Sequence, residues 1–114
     1  IWNLIGGLST EFTPGMASDP DMMMKLWHVG VRYFMGVSSS RVYHFVSRST
    51  ARVKKNDGNK QFLLKWGISK STFFDMYLRL GQKFMGYTPD PSAKEFRIKL
   101  LRDKVKRLFS VWMK

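Results

Sequence analysis

The residues of this chain whose types could do chemistry are two histidines, a run of serines and a pair of glycines. His28 and His44 fall on different predicted helices, and neither has a carboxylate beside it in sequence. Without such a partner an imidazole is neither oriented as a base nor fixed as a metal ligand. Both read as partly buried helix residues. Ser38, Ser39 and Ser40 have no local base to activate them, so they read as a helix cap and linker. Gly6-Gly7 is not followed by the Gly-Lys-Ser/Thr run of a phosphate loop. No two carboxylates are spaced for acid–base work. Asp103 is expected to pair with Lys99 or Arg107 at helical spacing. The absence of cysteine excludes disulfides and thiolate metal sites. This inventory points away from an enzyme and calls for no cofactor.

What remains is charge. The first 24 residues hold three acids, Glu11, Asp19 and Asp21, and no base. Residues 25–114 carry all 20 Lys and Arg against five acids, a net +15. Residues 91–114 alone hold eight bases and two acids. Like charges so crowded repel unless an anion offsets them, so Arg97, Arg102, Lys104, Lys106 and Arg107 are candidate docking residues for something acidic. Arg79 and Lys83 on the preceding predicted helix extend that set. A second patch runs from Arg41 to Lys55, with Tyr43, His44 and Phe45 interleaved, a mixture that suits stacking on RNA bases. RNA, an anionic membrane surface and an acidic protein are the three partner classes this charge admits.

The elements that would position these bases are helices. Asp19 as cap and Pro20 at the first position predict a helix from Pro20 to about Met35, ended by Gly36. A second is predicted from Ser40 to about Lys54, with Val42, Phe45, Val46 and Val53 as its apolar stripe. Asn56 to Asn59 is a turn signal. Phe62 to Trp66 is a short apolar element, helical turn or strand, ended by Gly67. Ser69 or Ser71 caps a third helix running to Met85, where Phe73, Tyr77, Leu80 and Phe84 share a face. Pro89 and Pro91 separate it from the last helix. There Ser92-Ala93-Lys94-Glu95 is a capping box, and the helix runs from Ala93 toward Trp112. Its expected core face is Phe96, Leu100, Leu101, Val105, Leu108, Phe109 and Trp112. Residues 1–17 read as an irregular arm, broken by Gly6-Gly7, Pro14 and Gly15, with Trp2, Leu4, Ile5, Leu8 and Phe12 as contact points on a neighbour or on its own domain.

The fold expected is therefore all-α: a bundle of three to four helices with an extended apolar N-terminal arm, residues 1–17, followed by one domain, residues 18–114. The most apolar stretch, Met22 to Val37, is interrupted by Lys25, His28 and Arg32, which argues against a transmembrane span and leaves peripheral membrane contact open. The chain begins at Ile1 rather than Met, which fits either removal of an import presequence or a trimmed chain.

Residues 73–109 also resemble the LYR-motif family of small mitochondrial helical proteins. The resemblance is carried by Met76-Tyr77-Leu78-Arg79, by Gln82-Lys83-Phe84 and by Arg102-Asp103-Lys104-Val105-Lys106-Arg107-Leu108-Phe109. The last octet is similar to the LYR accessory subunit of respiratory complex I. The triplet itself departs from the family pattern, because Met76 stands for Leu and Leu78 intervenes before Arg79. The resemblance implies a three-helix matrix protein that serves respiratory complexes, iron–sulfur assembly or the mitoribosome. It also implies docking of acyl carrier protein by Tyr77, Arg79, Lys83, Arg102, Lys104, Lys106 and Arg107, with Phe109 supporting the bundle. Together these readings make the chain a non-catalytic accessory subunit of a mitochondrial respiratory complex, on the matrix side of the inner membrane. It would bind other subunits and an acidic partner such as acyl carrier protein. The alternative is a mitochondrial ribosomal or other RNA-binding protein that sets its basic helices on phosphates.

Overall fold

Capping side chains and left-handed backbone positions decide where this chain starts and stops its helices. The computed structural model describes residues 1–14, 16–43 and 54–112, and the helices among them are five. They are α1 (Trp2–Ile5), α2 (Ser18–His28), α3 (Gly58–Trp66), α4 (Lys70–Phe73) and α5 (Ala93–Trp112). A 3₁₀ turn, Thr10–Phe12, lies between α1 and α2, and α4 runs directly into a π-helical turn, Phe74–Leu78. No strand occurs among the described residues. The all-α class holds.

Two helices stop earlier than their periodicity predicts. Asp19 does not cap α2 as expected: the helix begins at Ser18 after a left-handed Ala17 (φ 79°), whose carbonyl accepts the Asp21 amide, and Pro20 sits in the first turn, where it has no helical hydrogen bond to lose. This helix ends at His28 instead of Met35. Gly30 adopts φ 91°, its amide bonding the carbonyl of Trp27, and the chain leaves as an irregular segment. That segment folds back on Trp27: the Arg32 guanidinium lies 4.0 Å from the ring centroid, and Phe34 stacks on the indole. The helix predicted to reach Met85 ends at Leu78, because the backbone widens into the π turn and Arg79 turns left-handed at φ 51°. Leu80, Phe84 and Met85 consequently lie exposed in a loop. The helix expected over residues 40–54 falls mostly outside the described residues, and residues 41–43 and 54–55 at its ends are not helical.

Side-chain caps start two of the helices, one of them from residues that read as a turn. The Asp57 carboxylate accepts the amides of Asn59 and Lys60, both at 3.1 Å, and α3 starts there. Ser69 Oγ accepts the Thr72 amide at 3.3 Å and starts α4. At the head of α5 the Phe96 amide bonds the Ser92 carbonyl.

The buried core gathers Phe12, Ala17, Met24, Phe62, Ile68, Phe73 and Leu78. The arm expected to be irregular carries α1 and the Thr10–Phe12 turn and lies on its own domain: Phe12, 1% exposed, is one of the most deeply buried side chains of the molecule. The arm is held by backbone as well. Asn56 donates its amide to the Pro14 carbonyl and its side chain to the Glu11 carbonyl. Gly58 passes so close to the Met16 carbonyl that a Cβ would stand 1.8 Å from its oxygen.

Candidate functional site

Two of the N-terminal acids are consumed internally. Asp21 is fully buried and accepts hydrogen bonds from Ser9 Oγ at 2.6 Å and Trp66 Nε1 at 2.9 Å. Lys65 Nζ stands 2.9 Å from the same carboxylate and 2.6 Å from that of Glu11, and Lys25 Nζ lies 3.5 Å from Asp21. Burial pushes the Asp21 carboxyl up, but the bonds from Ser9, Lys65 and Trp66 outweigh it and hold the group below its ordinary range. Lys65 is likewise desolvated, yet its two carboxylate partners raise it. Two of the three acids that stand apart in sequence therefore form a clamp between the arm, α2 and α3.

The bases of α5 have no such fate. Lys99 Nζ pairs with Asp75 at 2.5 Å, but Arg97, Arg102, Lys104, Lys106 and Arg107 form no ion pair among the described residues. All five side chains are exposed. Asp103 was expected to pair with Lys99 or Arg107. Instead it is 1% exposed, the one buried residue of the helix, and accepts the Ser69 amide through Oδ2 at 2.8 Å. It ties the middle of α5 to the start of α4. Phe96 meets Tyr77 edge-on at 5.5 Å, and Leu100 packs on the core.

This docking orientation reverses the expected core face. Phe96 and Leu100 do face the body, but Leu101 (66% exposed), Val105, Leu108, Phe109 and Trp112 (88% exposed) lie on the outside, joined by Ile98. With about 100° per residue, Phe96, Lys99, Leu100 and Asp103 lie almost opposite Ile98, Leu101, Val105, Leu108 and Trp112. The helix thus has two non-polar faces, and the outer one is uncovered. Toward its C-terminal end Lys104, Arg107, Leu108, Val111 and Trp112 line a concavity of about 570 Å³.

Tyr77, Arg79 and Lys83 are separate from this surface. Tyr77 is half-buried between Trp27, Phe73 and Phe96, and burial first, then the charge of Asp90, raises its hydroxyl above the ordinary value. It is a packing residue. Arg79 and Lys83 line a cavity of about 400 Å³ formed by residues 78–89 with Phe34 and Gly36, to which α5 contributes nothing. They do not extend the α5 face in a helix. His28 is exposed and stacks on Trp66, 5.2 Å between centroids.

Two bases escaped the sequence reading. Lys60 and Lys70 line one cavity of about 610 Å³ with Lys106, Ser69, Ser71, Ser110 and Asp57. No periodicity brings residues 60, 70 and 106 together; only the packing of α5 across α3 and α4 does. His44 and the patch's other residues from 44 to 53 lie outside the described residues. Among the described residues no group of three or more His, Cys, Asp or Glu could hold a metal ion, and no helix is long and apolar enough to cross a membrane. No family model matches the chain, and no curated protein or solved structure matches it either.

Proposed function

We propose that this chain is a non-catalytic adaptor, an accessory subunit that holds an acidic partner against α5. One observation carries the reading: Arg97, Arg102 and Lys104, exposed on α5, flank an uncovered apolar stripe, while Glu11 and Asp21 are spent on Lys25 and Lys65. A surface both cationic and apolar suits a protein partner, because interfaces bury apolar cores inside polar rims. The resemblance of residues 73–109 to the LYR-motif family gives the setting: a mitochondrial respiratory complex at the matrix side of the inner membrane, with acyl carrier protein as the acidic partner. In that setting the docking residues are Arg97, Arg102, Lys104, Lys106 and Arg107, with Arg79 and Lys83 forming a separate loop surface.

The cavity lined by Lys60, Lys70 and Lys106 favours a second reading, an RNA-binding subunit of a ribosomal particle, since clustered ammonium groups suit phosphate. Affinity purification of the tagged chain from its native cells, with and without nuclease, separates the two. Respiratory subunits that survive nuclease and are lost on Arg102→Glu/Lys106→Glu charge reversal are the expected result. Ribosomal proteins released by nuclease, with binding that weakens steeply in salt, would give the RNA reading instead.

A further inference from the structure

The outer face of α5 has a more specific geometry than a patch. Ile98, Leu101, Val105, Leu108 and Trp112 recur at steps of 3, 4, 3 and 4 residues, the spacing of a coiled-coil seam. In that register Ile98, Val105 and Trp112 take the a positions, and Leu101 and Leu108 the d positions. Phe96 and Asp103 then fall at f, the position farthest from the seam, and these are the residues that hold the helix to the body. Arg97 and Lys104 fall at g and Arg102 at e, which flank the seam where charges choose a partner. At the C-terminal end the flanks become Phe109 and Val111, beside the concavity.

We infer that this seam receives one amphipathic α-helix of an acidic protein partner, packed along α5 as a short two-stranded coiled coil. The inference rests on the adaptor reading and names its partner's shape. Charge selects the occupant. A second copy of the chain would set Arg97 against Arg102 in a parallel pair and Arg102 and Lys104 against their own counterparts in an antiparallel one, whereas Glu or Asp at the partner's e and g positions would pair with them. The partner is therefore acidic where it meets residues 97–104. It is apolar where it meets residues 108–112, with a bulky side chain for the concavity. A bilayer would need no seam spacing.

The test uses the full chain and labelled three-heptad peptides with Leu at a and d, carrying either Glu or Lys at e and g, read by fluorescence anisotropy. The Glu peptide should bind, and the Lys peptide should not. The Leu101→Asp/Leu108→Asp variant should lose at least about tenfold in affinity, while its circular dichroism and melting stay unchanged, because both side chains are already in water. Arg102→Glu/Lys104→Glu should reverse the peptide preference. Equal binding of both peptides, or unchanged binding by the Leu101→Asp/Leu108→Asp variant, overturns the proposal. So does seam-dependent dimerisation in sedimentation, or seam-dependent binding to phosphatidylserine vesicles with no peptide binding. If Leu101→Asp/Leu108→Asp leaves the native complex intact while Arg102→Glu/Lys106→Glu dissolves it, the coiled coil fails and the adaptor survives. If neither variant dissolves it, both fail.

Discussion

Asp21 is the residue on which the N-terminal half depends. Its carboxylate joins Ser9, Lys25, Lys65 and Trp66, four positions that the sequence scatters from the arm to α3. Removing one member of a buried, hydrogen-bonded ion pair strands the others. Asp21→Asn should cost about 3 kcal/mol in urea unfolding. The pH dependence follows from the direction of the shift. The folded carboxyl is held below its unfolded value, so its contribution is complete above that value and is lost as pH falls through the folded one. Stability should therefore drop below about pH 4, and Asp21→Asn should flatten that drop. Lys65, held above its unfolded value, contributes the opposite limb: its share is present at neutral pH and lost in strong alkali. Urea midpoints from pH 3 to 7 for both proteins check the acid limb, and an unflattened variant profile would remove Asp21 from this role.

At the scale of elements, some helix starts were legible and helix ends were not. Ser69 announces itself because a hydroxyl before a helical run has amides to bond, and α5 occupies the predicted Ala93–Trp112. Asp57 was hidden in what reads as a turn, and Asp19 does not cap α2. The ends at His28 and Leu78 come from backbone states that periodicity does not encode. Gly30 sits inside the run predicted to continue to Met35, and Arg79 carries no sign that it will be left-handed. Such a conformation costs a side-chain-bearing residue roughly 1–2 kcal/mol. Arg79→Gly should hence leave melting unchanged or raise it slightly, while removing a base from the loop cavity. A matched Arg79→Ala variant keeps the strain, and its lower melting relative to Arg79→Gly would show that the gain comes from the backbone. Within α5 the apolar residues were visible, but not which face the body would take. That choice was made by Asp103, a charged residue that a hydrophobic pattern assigns to solvent.

Across the whole molecule, the acidic arm and the basic remainder are not two tails of opposite sign. Folding brings Glu11 and Asp21 onto Lys25 and Lys65 and leaves the surplus charge on α5 and around the Lys60, Lys70 and Lys106 cavity. The docking residues were legible as a charged segment; the cavity was not, because three helices must meet to form it. The buried Asp103 has one more consequence. It holds a 20-residue helix near its midpoint, while the exposed side chains extend beyond it toward Trp112. A helix anchored at its centre frays outward. Amide hydrogen exchange should be slowest near residues 100–104 and quicken steadily toward Trp112. A uniform rate along α5 would mean that the helix opens and closes as one unit. Only a bound partner should carry the slow amides out to the end of the seam.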